Sequence, residues 1–422
     1  MKRVVITGMG VIAPNGCGLP AFTQAIRNGK SGIRQIPQLE EWHQGCQVAG
    51  IPAFDDSILS QYFTENTTRA LKSTSIKYGC VAAIEAWLDA GLVVGNEQPD
   101  WDTGCIFGTA SSDLGVVREM LGRIDALEYR KLGSRFTEQT MFSGVSAYVG
   151  GLLGLGNQVS SNCSACSTGT EAILLGYERI RFGYAKRMVV GSCEASSPHI
   201  WGTFDAMGVL NRKFNHRPEA ASRPMSATAG GFIPAGGGGA LIIEDLDTAL
   251  QRGAKIYAEI SGGAVTCGGQ RNGGTMTASN IAGVQRCIAD ALSNSHITPS
   301  SVDLICGHLT STFADKLEVR NWAEVLNRSG KDFPYINSLK SMIGHCLGGA
   351  GSIESIAAIL QLHHQFVHPS INCEDLHPEI ASLIDPSRIP DKEKPSAVNT
   401  VMKASFGFGD VNSCIVFNNY QQ

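Results

Sequence analysis

Short apolar runs and longer amphipathic ones alternate along this chain. VVITGMGV near the start, GCIFGT, RMVVGSCEA and ALIIEDL are short, nearly continuous apolar segments, the pattern of strands buried on both faces. Between them KYGCVAAIEAWLDAGL and TEAILLGYERIRFG repeat apolar positions at helical spacing, and AIRNGK reads as a further short helix. After IIEDLDTALQRGAKIYAEISG the alternation begins again, with IAGVQRCIADALSNS, NWAEVLNRSG and GSIESIAAILQLHHQ as helices and VDLICGH and SCIVFNN as strands. The pattern predicts an α/β protein of two halves, residues 1–250 and 251–422. Direct sequence similarity between the halves is too weak to establish a duplication.

Composition narrows what such a protein does. A chain of 422 residues, 43% of them hydrophobic, is long enough for a large core or two fused domains. Its net charge of -4 gives no bulk electrostatic reason to bind nucleic acid or an anionic membrane. The opening MKRVVITGMGVIAPNG is broken at once by Thr7, Gly8 and Gly10, so it reads as a strand and turn and not as a signal peptide. No stretch approaches the roughly 18 uninterrupted apolar residues of a membrane span. The expected compartment is therefore the cytoplasm, where thiols stay reduced. Of the thirteen cysteines only Cys163 and Cys166 have C-x-x-C spacing, with no second pair or His pair to complete a zinc site, so no metal is expected. The glycine-rich GGFIPAGGGGALIIE lacks the Gly-Lys-Ser/Thr ending of a phosphate loop and leads into a strand; it reads as tight turns, with no nucleotide implied.

Candidate chemistry centres on SNCSACSTGTEAILLG, residues 161–176. Cys166 stands at the start of a helix, where the positive dipole end lowers a thiol's pKa. Cys163 lies in the approaching strand and is assigned to packing. On this stretch alone an inert cysteine and a nucleophile stay equally open, and a nucleophile needs a histidine. Two candidates occupy strand-end settings: His308 closes VDLICGH, and His345 lies in NSLKSMIGHCLGGAGSIESI, just before a small-residue loop that opens a helix. Either one alone also reads as a satisfied core histidine. His363, His364 and His368 are assigned to solvated or interfacial positions.

Four motifs then occur in one order: S-A-C-S-T-G at 164–169, G-H-L-T-S-T at 307–312, N-S-L-K-S-M-I-G-H at 337–345 with the following GGAGSIES, and S-F-G-F-G at 405–409. With the opening VVITGMGVIAPNG and AASRP at 220–224, they resemble the signatures of the β-ketoacyl-acyl-carrier-protein synthases, of the elongating KAS I/II type, over nearly the whole chain. That resemblance implies a thiolase-like five-layered αβαβα fold of two similar halves and a Cys-His-His set. Cys166 matches the nucleophile, His308 and His345 the pair attending malonyl decarboxylation, and Lys340 with Glu318 a supporting pair around the second histidine. Phe408 matches the residue whose backbone N–H joins that of Cys166 in an oxyanion hole and whose ring gates the pocket.

By the same resemblance Ser111, Thr277, Thr310, Thr312 and Phe406 are candidate substrate-binding residues, and Arg69, Lys72, Arg212 and Lys213 a candidate docking patch for an acyl carrier protein. No cofactor is implied beyond the carrier's phosphopantetheine. The partner subunit is an identical chain or a related condensing-enzyme subunit.

Three departures fall at the expected substrate channel and gating loop. Leu309 replaces Gly, Phe313-Ala314-Asp315 is one residue shorter than Pro-Ala-Gly-Asp, and Asp410-Val411 replaces Gly-Thr. Ser111 stands where elongating enzymes carry a bulky aliphatic gate, which points to a longer, stiffer acyl chain such as a polyene, with routine fatty acid elongation as the alternative. Two other functions are weighed: a chain-length factor, which would lack the nucleophile, and a thiolase, which would need a C-terminal Cys-x-Gly where this chain has NSCIVFNN.

Overall fold

The computed structural model describes residues 1–95, 97–133 and 135–420. Strands β1 (Val4–Ala13), β2 (Thr103–Gly108), β3 (Val159–Ser160), β4 (Arg187–Glu194) and β5 (Gly237–Asp245) lie side by side in the order β1-β5-β4-β2-β3. The last three are parallel, while β5 runs antiparallel to both its neighbours. Strands β6 (Ala258–Cys267), β7 (Leu304–Cys306), β8 (Tyr335–Asn337), β9 (Thr400–Gly407) and β10 (Val411–Asn418) repeat that order and those directions as β6-β10-β9-β7-β8. The internal repeat that the sequence leaves unproven is thus visible in the topology. A short antiparallel contact, Val4–Ile6 against Ala258–Ile260, joins the two five-stranded sets.

Five main helices complete the layers: α1 (Thr74–Asp89), α2 (Thr168–Arg181), α3 (Ile281–Asn294), α4 (Ala314–Leu326) and α5 (Ala350–His364). Helix α1 covers the outer face of the first set of strands, and α3 with α4 covers the outer face of the second. Helices α2 and α5 pack on each other and on both sets, giving the αβαβα order. Because α5 lies in the middle layer it is buried on every side from Ala350 to Leu362, and its sequence is apolar or small nearly all round.

Helices α2 and α5 meet at their first turns. A Cβ on Gly169 would lie 2.4 Å from the Ser352 backbone nitrogen, and one on Gly351 would lie 2.4 Å from that of Thr170. Each helix is also preceded by the same kink, since Ala165 (φ 49°) and Leu347 (φ 47°) both take the left-handed conformation three residues before the helix begins.

Some expected elements differ. The helix around AIRNGK ends at Arg27, where Asn28 closes the last turn and Gly29 leaves it at positive φ. The glycine run is not a series of turns, because β5 already begins at Gly237 and pairs between β1 and β4. Strands β6 and β9 were not expected: β6 alternates buried and half-buried positions and so lacks a continuous apolar run, and β9 carries a lysine in its middle.

Gly351→Ala is expected to lower stability by about 1–3 kcal/mol, because the new methyl meets backbone and not a movable side chain. Gly122→Ala, in the exposed helix Leu114–Asp125 with nothing within 4 Å of the added Cβ, should instead stabilise slightly. Urea unfolding midpoints of the two variants check the contrast.

Candidate active site

The paired kinks deliver two side chains to one point. Cys166 Sγ lies 3.1 Å from His345 Nε2. His308, on the segment leaving β7, places its ring centroid 5.4 Å from that of His345 at an interplanar angle of 80°. The sulfur and one nitrogen from each ring lie within 4.8 Å of one another. Phe232 packs edge-on against His345 at 5.3 Å, and Phe406 flanks His308 at 6.2 Å. Phe204 continues this aromatic wall, touching Phe232 on one side and Phe408 on the other.

Protonation follows from the contacts. The Leu347 backbone N–H donates to His345 Nδ1 at 3.2 Å, so in the neutral ring the proton sits on Nε2, the nitrogen facing Cys166. Burial, with the nearby Lys340 ammonium, holds both His308 and His345 well below the usual imidazole range. Both rings are therefore neutral N–H donors near pH 7, and His308 Nδ1 is buried with no hydrogen-bond partner among the described residues. Burial pushes the Cys166 thiol up to about 11; Lys340 and the Phe408 backbone N–H, which faces the sulfur, pull the other way without prevailing. The thiol is thus raised, not lowered as its helix-start position suggested, and burial is the largest cause.

Lys340 and Glu318 do not form a pair. Lys340 Nζ bonds to Glu354 Oε1, while Lys403 Nζ lies 3.1 Å from Glu354 Oε2 and 2.9 Å from Thr170 Oγ1. All three charged groups of this Lys-Glu-Lys arrangement are at most 3% exposed. Glu318 instead supports the first histidine's segment, accepting the backbone N–H groups of His308 and Leu309 at 2.7 Å each, and burial pushes its carboxyl up to about 7. Leu309 itself is fully buried in the core under the second set of strands, so it does not line an open channel.

The remaining expected residues scatter in role. Ser111 donates its hydroxyl to Glu194 Oε1 at 2.5 Å; Glu194 also accepts the N–H groups of Ala110 and Gly348, and burial pushes it up to about 7. Thr310 and Thr312 share a hydroxyl bond of 3.0 Å beside His308. Thr277 is exposed on the segment between β6 and α3, with its N–H on Thr275 Oγ1. Cys163 is exposed and its thiol points to the Ala110 carbonyl, so it is not a packing residue. Arg69, Lys72, Arg212 and Lys213 are all exposed, but Lys72 is paired with Glu119 and Arg212 with Asp205.

Sequence reasoning passed over Glu194, Leu347, Glu354 and Lys403. A signal existed for three of them, because a lone charge inside an apolar strand or helix is seldom buried without a partner. Leu347 acts through its backbone, which carries no such signal.

A thiol and two imidazoles are ligand types for a soft metal ion as well as the parts of a covalent acyl-transfer site. Comparison with known proteins shows the family. Residues 1–249 match the β-ketoacyl synthase N-terminal domain and residues 257–374 the β-ketoacyl synthase C-terminal domain. The chain belongs to the β-ketoacyl synthase family. It is 33% identical to 3-oxoacyl-acyl-carrier-protein synthase 1 of Haemophilus influenzae, with 100% of each chain covered, and 34% identical to the Escherichia coli K12 protein of the same name, with 99% of this chain and 98% of that one covered. Among solved structures, it is similar to a type II polyketide synthase acyl-carrier protein in complex with its ketosynthase bound to the hexaketide (TM-score 0.87, 32% identity, 99% and 100% covered). The ishigamide ketosynthase/chain length factor is also similar (TM-score 0.87, 25% identity, both chains fully covered).

Glu354→Gln should destabilise the fold by about 3–5 kcal/mol, since it leaves two buried ammonium groups without a counter-charge. The loss should shrink as pH rises, because burial lowers the pKa of Lys403 and deprotonation relieves the surplus charge. Glu354→Met combined with Lys403→Met should recover part of it in urea titrations at pH 7 and 9.

Proposed function

We propose that this protein is a β-ketoacyl-acyl-carrier-protein synthase in which Cys166 holds the growing acyl chain and His308 and His345 drive decarboxylation of the malonyl extender. The observation that carries this reading is the 3.1 Å approach of Cys166 Sγ to a His345 Nε2 that bears the proton. A thiol parks an acyl group reversibly, since sulfur is both a good nucleophile and a good leaving group.

In the first half-reaction the Cys166 sulfur bonds to the acyl carbon, the carrier C–S bond breaks, and the proton from Cys166 ends on the carrier thiol. In the second, the malonyl thioester loses carbon dioxide and the electron pair of the broken C–C bond passes into an enolate. The His308 and His345 N–H groups stabilise its oxygen. This is a preorganised electrostatic contribution worth a few kcal/mol per donor. The enolate carbon attacks the acyl carbonyl on Cys166 while the N–H groups of Cys166 and Phe408 hold its oxygen. The Cys166 sulfur then leaves and regains a proton from solvent. Lys340 and Lys403, through Glu354, orient the site and keep both imidazoles neutral.

Neither alternative class fits as well. A chain-length factor has no use for an intact Cys-His-His set. A thiolase would need a second reactive cysteine near the C-terminus, yet Cys414 is fully buried within β10 and burial pushes its thiol far up. The acyl carrier protein is the partner that presents both substrates, with Arg69 and Lys213 as the two of these four cations that form no salt bridge among the described residues. The chain works as one subunit of a homodimer, or of a heterodimer with a related condensing subunit, in the cytoplasm. No helix among the described residues is long and apolar enough to cross a membrane.

For the acyl chain, the small Ser111 supports an unsaturated or polyene intermediate, and fatty acid elongation of the KAS II kind is the alternative. Ser111→Ile should shorten the products made by the enzyme without slowing acylation of Cys166 by short chains. Ser111→Ala, which removes the bond to Glu194 but adds no bulk, should leave chain length unchanged; product mass spectra from a panel of acyl carriers decide.

The central reading is tested at the nucleophile. Cys166→Ala should abolish condensation, and Cys166→Gln should leave an enzyme that releases carbon dioxide from malonyl carrier without elongating. Retained condensation by Cys166→Ala, or acyl label found on Cys163, would show the assignment to be wrong.

A further inference from the structure

Asp410 follows the S-F-G-F-G segment in a conformation that suits glycine. Its φ is 62° and it is buried, although a non-glycine residue in the left-handed region costs about 1 kcal/mol. Something must offset that strain, and the contacts show what does. The Asp410 carboxylate accepts the backbone N–H groups of Asn280 at 2.8 Å and Gln270 at 3.1 Å. Its backbone carbonyl accepts the Gly268 N–H at 3.0 Å, and the neighbouring Gly409 N–H donates to the Met276 carbonyl at 2.8 Å.

All of these bonds join one segment, 267–280, to one turn, 406–410. The far end is anchored, because Asn280 also caps α3 by accepting the Gly283 N–H at 3.0 Å. The sequence of the segment, CGGQRNGG, makes room for the carboxylate. A Cβ on Gly268 would lie 2.1 Å from an Asp410 carboxylate oxygen, and one on Gly274 would lie 2.7 Å from the same oxygen. The glycines and the aspartate therefore fit as a set. The turn they hold carries Phe408, whose N–H faces the Cys166 sulfur, and the tip of the segment carries the exposed Met276 and Thr277.

We propose that Asp410 is a positioning residue for acyl transfer: its carboxylate latches the 267–280 segment onto the 406–410 turn and thereby sets the Phe408 N–H against the acyl group on Cys166. This rests on the reading of Cys166 as the acylated residue. Small misplacements of such a donor are enough to matter, since about 1 Å can cost on the order of 100-fold in rate. The latch also ties the outer segment to the oxyanion donor, so a movement of Met276 and Thr277 is felt at the thioester.

The test uses Asp410→Gly, Asp410→Asn, Gly268→Ala and the double variant Asp410→Gly/Gly268→Ala. If the latch exists, Asp410→Gly lowers kcat for acylation of Cys166 by about 10-fold or more, with KM for the acyl carrier changed less than about twofold. It also speeds trypsin cleavage after the exposed Arg271. The near-isosteric Asp410→Asn, which keeps one acceptor oxygen, falls between and guards against a fold defect in the glycine variant. Gly268→Ala impairs the otherwise unaltered enzyme but adds no further loss to Asp410→Gly, because the group it strikes has gone.

Acylation at the unaltered rate in Asp410→Gly overturns the proposal, as does a lowered rate with unchanged cleavage at Arg271. Full additivity in the double variant does the same. The Cys166 reading fails by a different result, condensation retained in Cys166→Ala, and the cleavage measurement does not depend on it.

Discussion

The approach of two helix backbones at Gly169 and Gly351 is the constraint on which the reactive centre depends. Neither residue has a Cβ, and at 2.4 Å from the opposing backbone nitrogens neither could have one without parting the helices. Interiors packed to crystal density transmit such a displacement instead of absorbing it. Because each helix is entered through the same left-handed kink, the contact brings two equivalent turns face to face. The two repeats then use different places on those turns. Cys166 comes two residues before α2, where the second repeat has Gly348; His345 comes five residues before α5, where the first repeat has the exposed Cys163. Groups offset in this way meet where the two turns face each other.

Burial sets the protonation states around that meeting point, and magnitudes decide which effect prevails. A helix N-terminus favours an anion by about 0.3–1 kcal/mol, reaching ~2 kcal/mol in partly buried sites. The Cys166 thiol is raised from 9.0 to about 11, and each pKa unit corresponds to about 1.4 kcal/mol. Desolvation is the largest contribution at Cys166 and favours the neutral thiol. The same burial, helped by two buried lysines, keeps both imidazoles neutral, which is the state in which they can donate to an enolate oxygen. One low-dielectric environment thus makes a protected thiol and two effective donors, at the structural expense of a buried Lys340-Glu354-Lys403 arrangement.

Much of this was legible in the sequence, for reasons that differ by element. The strands buried on both faces and the helices of regular period were readable because burial on every side leaves a plain apolar signature, as in Val4–Ala13 and Ala350–His364. The strand Thr400–Gly407 was hidden because Lys403 interrupts it, and that lysine stands there for Glu354, 49 positions away in the chain, as a partner no local pattern can reveal. Ordered motifs single out Cys166, His308 and His345, which the structure brings together, but not the residues that surround them. Glu318 sat in the right neighbourhood but serves His308 through backbone N–H groups, and the tautomer of His345 depends on the Leu347 N–H, which belongs to no side chain at all.

The departures from the resembled motifs lie outside the set of Cys166, His308 and His345. At the centre, where the Cys166 and His345 atoms must meet within a hydrogen-bond distance, the side chains are those the chemistry requires. Around it, Ser111 bonds Glu194 and Asp410 bonds the 267–280 segment. Chemistry fixes reacting atoms to within about half an ångström. Leu309, next to His308, is turned fully into the core under the second set of strands, so its bulk is taken up by packing and not by the space where the Cys166 and His345 atoms meet.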